Sequence, residues 1–146
     1  MSAGERLPAA TRLLRVLKNK PVHVRPDRLH PMPAAFEPSS ADLAHLPVRV
    51  SVWDADHLTL ARAMELRGGG DLVGFVLTAA DVARVAVQYA VPALRAVEDP
   101  EGALGCTPDE ARWHDGIEGL EKAAWNDRIA RGDALRDLAL ACTLAT

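Results

Sequence analysis

The chain has 146 residues, of which 49% are hydrophobic and 25% charged, ordinary globular proportions that exclude a wholly disordered chain. Aromatic residues make up 4%, too few for a base-stacking surface, and the net charge of −3 speaks against nucleic acid as a partner. The two cysteines, Cys106 and Cys142, form no CxxC pair and are too few for a disulfide scaffold.

The length fits one domain spanning residues 1–146. Residues 5–19 predict a helix, because Leu7, Ala10, Leu13, Leu14 and Leu17 fall on one face and Arg12, Arg15 and Lys18 on the other. Those cations also interrupt any signal-peptide core, and no apolar run reaches the length of a membrane span, so the expected setting is the cytoplasm, with no membrane association and reduced thiols. The first 30 residues hold seven basic and two acidic side chains, a balance of +5 that leaves −8 on the remainder. Such asymmetry fits a basic arm that meets an anionic partner, or one that docks on its own acidic half.

Six prolines punctuate residues 21–47 and predict an extended arm. Its spaced hydrophobes, Leu29, Met32, Phe36, Leu43 and Leu46, call for a surface to lie on. Residues 48–53 alternate strictly and predict a strand with one buried face. Asp54 or Asp56 is the expected cap of a helix running through residue 66. The triple glycine 68–70 marks a loop, and residues 72–77 read as a strand covered on both faces. Two strands joined by a helix predict a parallel β-α-β unit. The fold class expected is therefore a helix-rich α/β domain with parallel strands at 48–53 and 72–77. An N-terminal helix, a long central helix at 79–97 and C-terminal helices would cover it.

Thr78 and Asp81 open the central helix in capping-box spacing, and Pro92 is expected to kink or split it. Residues 98–106 read as an acidic loop. Thr107-Pro108-Asp109-Glu110 is a helix start, and Trp113, Ile117, Leu120 and Ala124 would form the apolar stripe of that helix. Asp133 is the expected cap of a last helix over 134–145.

On the helix predicted after Thr107, Glu110, His114 and Glu118 would share one face. That makes them the candidate metal ligands of a metal-dependent hydrolase. His114-Asp115 also matches the dipeptide of the metal-dependent HD hydrolases, with His57 and Asp133 available as outlying partners. No G-x-S-x-G elbow is present, and Ser51 falls at a strand centre. Leu58 to Leu66, followed by Leu72-Val-Gly-Phe-Val-Leu-Thr-Ala-Ala-Asp81, resembles the second half of a CBS domain. That resemblance implies sensing of an adenosine nucleotide, with Thr78 and Asp81 near a ribose. Residues 68–71 leave no room for the additional strand of that family.

No nucleophile, base and oxyanion donor assemble within these motifs, and nothing in them calls for a cofactor. The function expected is a non-enzymatic interaction or regulatory module in a protein assembly. Its partner would be another protein or a second copy of the chain, met through Arg25, Arg28, Leu29, Met32 and Phe36.

Overall fold

The computed structural model describes residues 3–146. Six strands, β1 (Arg12–Lys18), β2 (Arg49–Asp54), β3 (Leu72–Thr78), β4 (Arg95–Glu98), β5 (His114–Glu118) and β6 (Thr143–Leu144), make one sheet in the order β4-β5-β2-β1-β3-β6. Helices α1 (Ser40–Leu43), α2 (Leu60–Leu66), α3 (Ala79–Gln88), α4 (Pro108–Ala111) and α5 (Arg128–Ala141) join and cover the strands. No helix among the described residues is long and apolar enough to cross a membrane.

Every strand pairing is antiparallel, which corrects the parallel β-α-β unit expected from the sequence. β2 and β3 do not pair; β1 lies between them and bonds to both. The segment read as an N-terminal amphipathic helix is this central strand. Its apolar residues face two ways: Leu13 and Leu17 join the core under α3 and α5, while Leu14 and Val16 join a second core under α2. A strand buried on both faces carries a nearly continuous apolar run. Arg12, Arg15 and Lys18 cut that run every third residue and so mimic helical spacing. Residues 4–7 run instead beside β4, with Gly4 N donating to Glu98 O (2.8 Å) and Leu7 N to Ala96 O (3.1 Å), which covers that sheet edge.

The predicted helix over 79–97 stops at Gln88. Ala90 takes φ 55°, Pro92 follows, and residues 95–98 return as β4 with Ala96 and Val97 buried. Proline can neither donate to a helix nor leave its predecessor freely helical, so the apolar pattern resumes as a strand. The helix after Thr107 is likewise only the single turn of α4, and residues 114–118 form β5, buried throughout. Gly116 faces Ser51 in the register, and a Cβ there would sit 2.9 Å from the Cβ of Arg49, the next residue but one along β2. The last helix starts earlier than expected. Asp127 caps it by accepting from Ile129 N (2.9 Å) and Ala130 N (3.2 Å), so Asp133 lies inside α5. Thr59, and neither Asp54 nor Asp56, caps α2.

The proline-rich segment folds back on the sheet. Val24 forms an isolated bridge with Pro31, residues 33–36 make a 3-10 turn, and Phe36 is fully enclosed in the core beneath α5. Arg131 of α5 ties the segment down from the other side, donating to Glu37 (2.6 Å) and to Leu120 O (2.7 Å).

Candidate functional site

Strand alternation places Arg49, Ser51 and Trp53 on one face of β2. The antiparallel register sets Glu118, Gly116 and His114 opposite them on β5. Helix α2 covers this sheet face over β1 and β3, with Trp53 of β2 at its margin. Over β2 and β5 the face opens into a cleft of about 500 Å3, walled by residues 41–47, by α2 and by the 99–104 loop. A volume of that size suits a small ligand.

Within the cleft, His114 Nδ1 lies 2.7 Å from the backbone oxygen of Asp99, and Nε2 lies 2.7 Å from Ser51 Oγ. A carbonyl can only accept, so Nδ1 carries the proton. Nε2 is then the lone pair, and the Ser51 hydroxyl donates to it. Burial lowers the pKa of His114, with the Asp99 hydrogen bond and charge opposing the shift, so the imidazole is neutral near pH 7. Trp53 packs edge-on against the ring at 4.7 Å between centroids and limits its rotation. The Asp99 carboxylate reaches His114 Nδ1 only at 3.6 Å, because its other oxygen accepts from Arg49 at 2.9 Å. Gly102 lets the loop fold over that carboxylate: a Cβ there would lie 2.1 Å from Asp99 Oδ2.

The charges lining the cleft are unevenly satisfied. Arg49 donates to Glu118 (2.8 Å) and Asp99 (2.9 Å), and Arg95 donates to Glu118 (2.7 Å), so this buried group is paired within itself. Arg15 is different. β1 and β2 pair only at Leu13–Asp54 and Leu14–Trp53, and beyond that the strands part. The Arg15 guanidinium fills the gap, donating to Ala35 O (3.0 Å) and Ser51 O (3.1 Å). It forms no ion pair with a carboxylate among the described residues. Its pKa falls to about 10, first through burial and then through the charge of Arg67, with Asp42 opposing. Arg15 and Arg67 line the same cleft.

The residues singled out from the sequence do not gather here. Glu110 is bonded to Arg62 at 2.6 Å and 2.9 Å, which holds its carboxyl down at about 2. His114 is in the cleft, and Glu118 bridges Arg49 and Arg95. β5 separates His114 and Glu118 as strand residues, so the shared helical face expected for the three does not exist. Among the described residues no three His, Cys, Asp or Glu side chains are placed to hold a metal ion. His57 pairs with Asp54 (3.0 Å) and stacks on Trp113, and Asp133 pairs with Arg136 (3.4 Å), so neither joins His114-Asp115. Thr78 and Asp81 bond each other's backbone in the cap of α3, and Asp81 also meets Arg84 at 2.9 Å. Of the arm residues, Leu29 is exposed, Met32 is half-buried, Phe36 is in the core, Arg28 is exposed and Arg25 has a buried Nε without a partner among the described residues.

Asp115 points away from the cleft by strand alternation. Its side chain is buried, its Oδ2 has no partner among the described residues, and its pKa rises to about 8, chiefly from burial and then from Asp54, Glu98 and Asp99. A second hollow of about 500 Å3, between α3 and residues 6–9, is lined by small apolar side chains such as Ala83, Ala86 and Val87; it unites no nucleophile with a base. Sequence reasoning missed Ser51, Asp99, Arg15 and Arg49 because they stand at separations of 15 to 69 residues from their partners. The one local signal was the polar face Arg49, Ser51, Trp53 of an otherwise apolar strand. No protein family, no curated protein and no solved structure matches this chain.

Proposed function

We propose that the chain is a ligand-binding module that takes a small molecule bearing a carboxylate or phosphate in the cleft over β2 and β5. The observation that carries this reading is Arg15. A half-buried guanidinium with no directly paired carboxylate among the described residues is costly, and an anion entering beside it and Arg67 recovers part of that cost. Ser51 and Trp53 add a hydroxyl and an aromatic wall. Isothermal titration with inorganic phosphate, acetate and citrate tests the reading. Saturable binding that weakens at least several-fold in Arg67→Ala and in Arg15→Gln supports it. Equal heats for wild type and both variants, or no binding of any probe, overturns it.

A second reading, a protein-interaction or regulatory module, is favoured by the exposed Leu29, Leu43 and Leu46 of the proline-rich segment, with Leu46 90% exposed. The acidic stretch of a second chain would meet Arg25 and Arg28. Light scattering of Leu46→Ser against wild type tests self-association: an assembly that dissociates in the variant supports it, and two monomers of equal mass oppose it.

A further inference from the structure

We propose that Ser51 is a nucleophile and His114 its general base, acting on the ester of a small acid that is held in the cleft by its anionic group. The proposal rests on the cleft as a ligand site and adds a reaction to it. Three observations converge. Ser51 Oγ and His114 Nε2 are 2.7 Å apart, within reach for proton transfer. The carbonyl of Asp99 fixes the protonated Nδ1, which leaves Nε2 as the lone pair facing the hydroxyl. Both side chains line a cleft large enough for the substrate. A serine hydroxyl is a weak nucleophile until an adjacent base removes its proton, and a base is useful only in this tautomer and orientation.

In the first step Ser51 Oγ bonds to the acyl carbon while its proton passes to His114 Nε2. The tetrahedral adduct collapses, the carbon–oxygen bond to the alcohol breaks, and the leaving oxygen takes the proton from Nε2. Water then attacks the acyl-serine, gives a proton to Nε2, and forms the free acid as the Ser51 oxygen leaves and recovers that proton. The ester and one water give one acid and one alcohol. Asp99 is a positioning residue: its backbone oxygen orients the ring, and its carboxylate at 3.6 Å lies near the imidazolium that forms transiently. The guanidinium of Arg15, bonded to the carbonyl of Ser51 itself, is positive charge in the same cleft for the adduct's oxygen.

The test uses the full chain, a fluorophosphonate probe and p-nitrophenyl acetate. The expected result is a single covalent adduct on Ser51 by peptide mass spectrometry, absent from Ser51→Ala. In His114→Gln, which keeps a polar side chain of similar reach, labelling should slow about 100-fold or more. The wild-type labelling rate should rise with pH to a plateau, with its midpoint below the ordinary histidine value, a profile a purely structural hydrogen bond would not produce. An adduct on another residue, equal labelling of Ser51→Ala, or a pH-independent rate overturns the proposal. Should Ser51→Ala fail to fold, the adduct position and the wild-type pH profile still decide it. Phosphate titration separates the two readings: anion binding with no Ser51 adduct leaves the binding module and removes the nucleophile, whereas an adduct without anion binding does the reverse.

Discussion

Asp115→Asn is expected to stabilise this protein, and by an amount that depends on pH. Asp115 is 2% exposed, its Oδ2 lacks a partner among the described residues, and the carboxylates of Asp54, Glu98 and Asp99 act on it. In the folded chain it titrates at about 8, against 3.8 when free in water. Between those values the folded state holds a proton that the unfolded state has released. Stability from this group is therefore complete below pH 3.8 and drains away as pH rises to about 8. Each pH unit in that window costs about 1.4 kcal/mol, so the accumulated loss at pH 7 is about 4 kcal/mol as a ceiling. Asparagine keeps the shape and cannot ionise, so it removes this loss. Urea unfolding of wild type and Asp115→Asn at pH 4, 5.5, 7 and 8.5 measures the difference. The variant should match wild type at pH 4, gain steadily up to pH 8 and level off above it. A difference that is flat across pH 4–8 would refute the reasoning, since it would mean that Asp115 ionises in the folded state as readily as in water.

Three further outcomes follow from packing and backbone geometry. Phe36→Ala empties a fully enclosed site under α5 and should cost about 3–5 kcal/mol in urea unfolding; a loss below 1 kcal/mol would place the proline-rich segment off the core. Gly119 has φ 86°, and a Cβ there would lie 2.5 Å from the carbonyl oxygen of Ala93, so Gly119→Ala should cost about 2–3 kcal/mol, read as a lowered Tm. Thr107→Ala removes the hydroxyl that accepts from Glu110 N at 3.2 Å and should cost about 1 kcal/mol; an unchanged denaturation midpoint would show that this cap contributes nothing.

The capping boxes at Thr78–Asp81 and Thr107–Glu110 could be read directly from residue order, because both partners lie within four residues and the bond is closed by the local chain. The same holds for β2 and β3, whose alternating and continuous apolar patterns carry their own period. β1, β4 and β5 were hidden for one shared reason. Each is apolar on both faces or broken by a charge, and residues 12–18, 95–98 and 114–118 fit helical spacing as well as extended spacing. What decided them was hydrogen bonding to strands distant in sequence, which local propensity cannot weigh.

Composition, charge and the two capping boxes were thus legible in residue order, whereas the caps of α2 and α5, Thr59 and Asp127, were not. The antiparallel pairing, the second core and the cleft were not. In residue order Ser51 is only a strand-centre serine, and His114 fits the face of a helix where the structure has β5. Their meeting depends on the β2–β5 register, which pairs Trp53 with His114 and Ser51 with Gly116. A shift of one residue in that register would turn the imidazole to the opposite face of the sheet. Arg15 depends on the parting of β1 from β2 in the same way: in a continuous ladder its guanidinium would have no carbonyl of Ser51 to meet. Pairing between strands is a long-range choice, settled by burying two apolar faces at once, and the polar residues of the cleft were brought together by that choice.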